Sequence, residues 1–171
     1  ELVLWRLVHD ALPPRPWYVK ADDDTLLLVS SLEGYLAQLD PDAPHFLGRR
    51  FRSPDLGLQG WTVSGGAGYV LSRAALVAMR GVLGRCLALV RQGASPGWGA
   101  SPGWGAGGGD MATALCLREA GIEPSDTRDH LLRHRFHPFA FQAHRANNFG
   151  PERRWYELVS ERPLSEGAKC C

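Results

Sequence analysis

Three carboxylates stand in a row at Asp22, Asp23 and Asp24, inside "YVKADDDTLLLV" (residues 18–29). Like charges packed this closely repel, so something must compensate them. In a strand-to-turn segment Asp22 and Asp24 can turn toward the same side. Two such carboxylates are hard oxygen ligands of the kind that hold Mg²⁺ or Mn²⁺. These ions keep coordination positions open for phosphate oxygens, which points to a nucleotide-diphosphate substrate bridged to the protein by metal. The bland alternative is a solvated acidic turn capping a helix that begins near Thr25. The apolar approach "WYVKA" favours the first reading, because a buried strand is a poor neighbour for a merely solvated turn.

Three further groups could do chemistry. In "SGGAGYVLS" (residues 64–72), Gly65, Gly66 and Gly68 remove side chains where backbone must approach something closely. The alternative is a β-bulge, and the spacing is not that of a dinucleotide-binding fingerprint. Asp110 opens a helix after a glycine run; it is stabilised there by the helix dipole and is also a candidate general base. His137 in "FHPF" reads as a structural residue before proline. The cysteines Cys86, Cys116, Cys170 and Cys171 have no zinc spacing, and their count alone leaves disulfides and free thiols both open.

The elements that must position these residues read as follows. "LVLWRLVHDAL" has helical periodicity and ends at Pro13 and Pro14. "WYVKA" is a short buried strand, and "TLLLVSSLEGYLAQLD" a helix from about Thr25 to Asp40. "HFLGRRF" is a strand, and "WTVSGGAGYVLS" is β-rich with a glycine break. "SRAALVAMRGVLGRCLALV" is a helix with Ser72 as N-cap, and "DMATALCLREAGI" a last helix. The alternation predicts an α/β layered fold. Between the last two helices "GASPGW" occurs twice, within residues 93–109. Gly and Pro at that density predict a flexible inserted loop. Arg153, Arg154, Trp155 and Tyr156 form a basic–aromatic cluster near the end.

The chain has 171 residues, one domain or a large part of one. Its formal net charge of +1 favours neither nucleic acid nor a charged membrane surface. No run is apolar and long enough to span a bilayer, and no signal peptide is evident. Opening on Glu1 within a helical pattern and closing on a cysteine pair, the sequence reads as a piece of something longer.

Taken in order, "WYVKADDDT", "FLGRRF", "SGGAGYVLS", "SDTRD", "FHPF" and the terminal "CC" resemble the core 1 β-1,3-galactosyltransferase family, the glycoprotein-N-acetylgalactosamine 3-β-galactosyltransferases. The resemblance covers nearly the whole chain apart from the repeat. It implies a GT-A-type α/β fold, of which residues 1–171 are the C-terminal part of the catalytic domain. It implies a type II Golgi membrane protein with its anchor outside this chain, and a homodimer is compatible with it. The implied reaction is inverting transfer of galactose from UDP-galactose to O3 of GalNAc on Ser or Thr of a glycoprotein, with Mn²⁺ as cofactor. Asp22 and Asp24 would be the metal ligands, and Asp22, Asp23, Gly65 and Gly66 would meet the donor. Asp110 would be the catalytic base, Trp155 and Tyr156 would meet the acceptor, and Cys86 would pair with Cys116. The chain departs from the family at Gly109, where a Glu is usual, and at "ELVSER" (residues 157–162), which replaces an aromatic, Asn-rich run. The family's uridine-binding half would precede Glu1, and its histidine would follow Cys171. A non-catalytic, chaperone-like relative and a β-1,3-glycosyltransferase with another acceptor are the alternatives.

Overall fold

The computed structural model describes residues 1–52, 60–91, 108–139 and 142–143. In chain order the elements are α1 (Leu2–Ala11), β1 (Trp17–Lys20), α2 (Val29–Leu36), β2 (Phe46–Gly48), β3 (Arg50–Phe51), β4 (Thr62–Val63), β5 (Tyr69–Ser72), α3 (Arg73–Arg91) and α4 (Gly109–Glu119). A 3-10 turn, Gly65–Ala67, separates β4 from β5. The expected mixture of helix and strand is present. The strands form two antiparallel sheets, ordered β1-β5-β2 and β3-β4.

The central strand β5 organises the layers. Its alternate side chains point to opposite faces. Tyr69 and Leu71 join Leu2 and Trp5 of α1, Leu76, Met79 and Leu83 of α3, and Ala114 and Leu117 of α4. Val70 faces the other way and packs with Leu47 and with Leu36 of α2. Helices therefore cover both faces of this small sheet. On α3 the buried positions Ala75, Leu76, Met79, Leu83 and Cys86 trace one helical stripe. Ser72 caps that helix as expected: its Oγ accepts the Ala75 N–H at 3.1 Å. Among the described residues, no helix is long and apolar enough to cross a membrane.

Three expectations need correction. "HFLGRRF" makes two short strands in two different sheets, with the buried Arg49 between them, 2% exposed. The helix placed from Thr25 begins only at Val29, and Leu26 is 79% exposed. Thr25 is tied into the preceding turn and cannot start a helix there. Strand β1 is half-buried rather than buried, since it lies at the sheet's edge.

Cys86 and Cys116 form a disulfide with Cα atoms 5.4 Å apart, tying α3 to α4. The pair closes a loop with a sequence separation of 30. By loop-closure entropy, replacing both cysteines with alanine is expected to cost roughly 3–4 kcal/mol. Denaturant unfolding of the double variant measures it; an unchanged midpoint would show that the pair does not restrain the unfolded chain.

Candidate functional site

Strand β1 delivers Lys20 and then the aspartates. The Asp22 carbonyl accepts the Thr25 N–H at 3.1 Å, and the Asp22 N–H donates to Thr25 Oγ1 at 2.9 Å. This doubly closed turn leaves the carboxylates of Asp22, Asp23 and Asp24 exposed to solvent. Lys20 Nζ donates to Asp22 Oδ1 at 2.5 Å, reaches the Gly65 carbonyl at 3.4 Å, and stands 3.5 Å from Glu1 Oε1. Burial pulls the Lys20 ammonium down, but the Asp22 bond and the Glu1 charge outweigh it and hold its pKa above the ordinary lysine value. So one of the three charges is compensated by a protein cation. The side chains of Asp23 and Asp24 have no hydrogen-bond or ion-pair partner among the described residues.

Asp110 sits in the first turn of α4, and both its carboxylate oxygens are held by backbone. Oδ2 accepts the Gly65 N–H at 2.8 Å and Oδ1 accepts the Met111 N–H at 2.8 Å. Burial pushes the carboxyl pKa up, and the nearby Glu1 charge adds to this. The two backbone bonds and the Lys20 charge oppose the rise without cancelling it. A carboxylate with raised proton affinity, fixed in orientation, accepts a proton more readily than a solvated one.

The glycines make this arrangement sterically possible. A Cβ on Gly65 would stand 2.8 Å from Asp110 Oδ2, and one on Gly108 would stand 2.6 Å from Oδ1. Gly66 is exposed, and a Cβ there meets nothing nearer than the Pro138 carbonyl at 3.6 Å. The two neighbours should therefore respond differently. Gly65→Ala is expected to displace Asp110 and cost about 1–3 kcal/mol. Gly66→Ala is expected to stay within about 0.5 kcal/mol of wild type. Thermal unfolding of both variants tests this; equal effects would mean that Asp110 does not need the space over Gly65.

Lys20 and Gly65 thus connect Asp22 to Asp110, two acidic groups 88 positions apart in the sequence. The turn offers hard carboxylate oxygens, the donor chemistry a divalent cation such as Mn²⁺ or Mg²⁺ takes, with Asp24 uncommitted and Asp22 bonded to Lys20. Among the described residues, no group of three or more His, Cys, Asp or Glu side chains is placed to hold a metal. Trp155, Tyr156, the cysteine pair Cys170 and Cys171, and residues 93–107 of the Gly/Pro/Trp stretch lie outside the described residues.

Sequence reasoning missed Lys20, Glu1 and Tyr69. The Tyr69 hydroxyl is fully buried, accepts the Trp5 indole N–H at 3.1 Å and donates to Glu1 Oε2 at 2.8 Å. Burial first, then the Glu1 charge, raises its pKa far above the usual tyrosine value. The "VKADDD" spacing carried a signal for Lys20, a cation two positions before the first aspartate. Nothing in the sequence marks Glu1.

Two of the matched motifs serve the frame. In "SDTRD", the Ser125 N–H donates to the Phe46 carbonyl and Thr127 Oγ1 to the Gly48 carbonyl, each at 2.9 Å, so the segment lies along β2. Asp126 pairs with Arg50 and Arg128, and Arg50 stacks 4.6 Å from the Trp61 ring centroid. The Arg128 bonds hold the Asp126 carboxyl at about 2. "FHPF" sits by the site's rim, with Pro138 over Gly66, and His137 is half-buried.

Burial, then the charges of Arg49 and Arg128, lowers His134 from 6.5 to about 3. Below about pH 6.5 the unfolded chain takes up a proton that the folded chain refuses. Stability is therefore expected to fall as pH drops from 6.5 toward 3, and His134→Phe should flatten that slope. Unfolding midpoints measured across the window decide it; an unchanged slope would contradict it.

The Fringe-like family model matches residues 8–96, a stretch that contains Asp22, Asp24, Gly65 and Gly66 and stops short of Asp110. The chain is 35% identical over 156 residues to glycoprotein-N-acetylgalactosamine 3-beta-galactosyltransferase 1 of Xenopus laevis. That alignment covers 91% of this chain and 39% of the relative, so the chain spans about two fifths of that protein's length. It is 37% identical over 75 residues to beta-1,3-glucosyltransferase of Homo sapiens, covering 43% of this chain and 15% of the relative. With more than half of its residues matched by the family model, and with the acidic turn and glycine segment inside the match, the chain belongs to the Fringe-like family.

Proposed function

We propose that this chain is the C-terminal part of a GT-A-type catalytic domain whose full-length protein transfers galactose from UDP-galactose to O3 of GalNAc on Ser or Thr. One observation carries the reading: Lys20 and Gly65 join the open Asp22–Asp24 turn to the backbone-held carboxylate of Asp110. On this reading the turn is the diphosphate-binding end and Asp110 the proton acceptor, on one frame. The similarity to the Xenopus galactosyltransferase supports galactose as the sugar and a GalNAc-bearing glycoprotein as the acceptor.

Asp22 and Asp24 would hold Mn²⁺, and Asp22, Asp23, Gly65 and Gly66 would face the donor. Bound there, such an ion would supply positive charge against the diphosphate leaving group. Asp110 takes the proton from the acceptor's O3–H. The O3 electron pair forms the new bond to the anomeric carbon while the bond from that carbon to the UDP oxygen breaks. Attack opposite the leaving group inverts the configuration. Trp155 and Tyr156 contact the acceptor. On this reading the uridine-binding half and a membrane anchor belong to the full-length protein, which works in the Golgi lumen.

A donor and acceptor panel on the full-length protein tests this. Transfer from UDP-galactose to a GalNAc-peptide, with a β1→3 linkage in the product, is the expected result. Preference for UDP-glucose, or for an acceptor lacking GalNAc, would replace it with a different β-1,3-glycosyltransferase; the similarity to the human glucosyltransferase and the altered "ELVSER" segment favour including both. Co-purification with an active transferase, with no activity and no Mn²⁺ binding, would replace it with the chaperone-like reading.

A further inference from the structure

Position 109 carries glycine, and the space its side chain would fill is taken. A Cβ on Gly109 would lie 2.5 Å from both Cγ and Cδ of Glu1 and 2.8 Å from its Oε1. The Glu1 side chain is 19% exposed, and its carboxylate is held from two directions. Tyr69, from the centre of the sheet, donates to Oε2, and Lys20 of β1 stands 3.5 Å from Oε1. The protons can be followed. Trp5 N–H goes to the Tyr69 oxygen, Tyr69 O–H to Glu1, and Thr113 O–H to the Gly109 carbonyl at 2.9 Å. Glu1 is thus the partly exposed end of a hydrogen-bond chain rooted on buried Tyr69, and such chains fix their terminal group more firmly than a surface ion pair would.

We infer that Glu1 is a positioning residue of this site: its carboxylate, anchored on Tyr69, takes the place of a side chain at position 109 and sets Lys20 and Asp110 against each other. This rests on the transferase reading for its catalytic meaning, but not for its geometry. Among the described residues, the charged and titratable groups facing Asp110 are Glu1, ahead of α1, and Lys20, on β1, with Tyr69 of β5 behind Glu1. Glu1 makes the acidic end of α4 a two-carboxylate site, and Lys20 keeps it from being an uncompensated one. Neutralising Glu1 therefore makes Asp110 easier to ionise.

The test uses the full-length protein and two variants. Glu1→Gln keeps an acceptor for Tyr69 and removes the charge. Glu1→Ala combined with Gly109→Glu clears the occupied space and moves the carboxylate to the neighbouring backbone position. The ¹³C carboxyl titration of Asp110, assigned with Asp110→Asn, is expected to move down by about half a pH unit or more in Glu1→Gln. The acid limb of the kcat/KM profile should move with it, and the relocated carboxylate should restore both. An Asp110 midpoint that stays in place in folded Glu1→Gln overturns the inference. If the wild type transfers no sugar, the transferase reading fails, and the NMR midpoint still decides the role of Glu1.

Discussion

An Asp24→Ala variant of the full-length protein is expected to transfer galactose about 10³-fold more slowly than wild type, with its stability unchanged. The two halves of that expectation come from the same observation. Asp24 is exposed and has no partner among the described residues, so its removal should alter unfolding by less than about 0.5 kcal/mol. Its proposed work is done only on the metal and diphosphate. Losing a metal ligand there removes several kcal/mol of charge stabilisation from the transition state, and about 4 kcal/mol corresponds to a factor of 10³. Asp22→Ala should be equally slow but less cleanly interpreted, since it also frees Lys20. Steady-state rates for the variants, compared at saturating Mn²⁺, are the measurement. Near-normal transfer by Asp24→Ala would remove the acidic turn from the mechanism.

The second large effect belongs to Asp110. Asp110→Asn is expected to lower kcat by about 10²–10⁴-fold while leaving the donor KM nearly unchanged, as for loss of a general base. An amide can still accept one of the two backbone N–H bonds, so the fold should survive. The pH behaviour carries the sign. Because burial raises the Asp110 pKa in the folded state, this group's contribution to stability is present at low pH and declines as pH rises through the raised value. The asparagine variant should lack that decline. For the same reason the wild-type rate should climb with pH across a limb lying above the usual carboxylate range. A donor KM that rises as much as kcat falls would instead place Asp110 in donor binding.

Much of the frame was legible because it is local. Helical periodicity marks α1 and α3, and the hydroxyl of Ser72 caps α3 where a short polar residue precedes an apolar helix. The glycine segment was readable as a place of close approach, but not as the reason Asp110 can lie against the Gly65 backbone. That contact joins positions 45 apart in sequence. The start of α2 was misread because the apolar run after the aspartates looks helical, while Thr25 spends its hydroxyl and N–H on the turn. The approach strand was read as buried, but β1 lies at the sheet's edge and is only half-buried, and the turn beyond Lys20 is exposed. Glu1 was invisible for a different reason. Its proposed role depends on Tyr69 and on the missing side chain at Gly109, two features that meet only in the folded chain. The disulfide was left open by counting and suggested by resemblance; the structure places Cys86 and Cys116 within bonding reach.

In the proposed reaction the Asp22–Asp24 turn would hold a metal–diphosphate complex and Asp110 would act separately on the acceptor. Calorimetric titration of the full-length protein with UDP, with and without Mn²⁺, tests it most directly. The predicted result is binding that requires Mn²⁺, is lost in Asp24→Ala and is retained in Asp110→Asn. UDP binding that is equally tight without metal, or unaffected by Asp24→Ala, would contradict it.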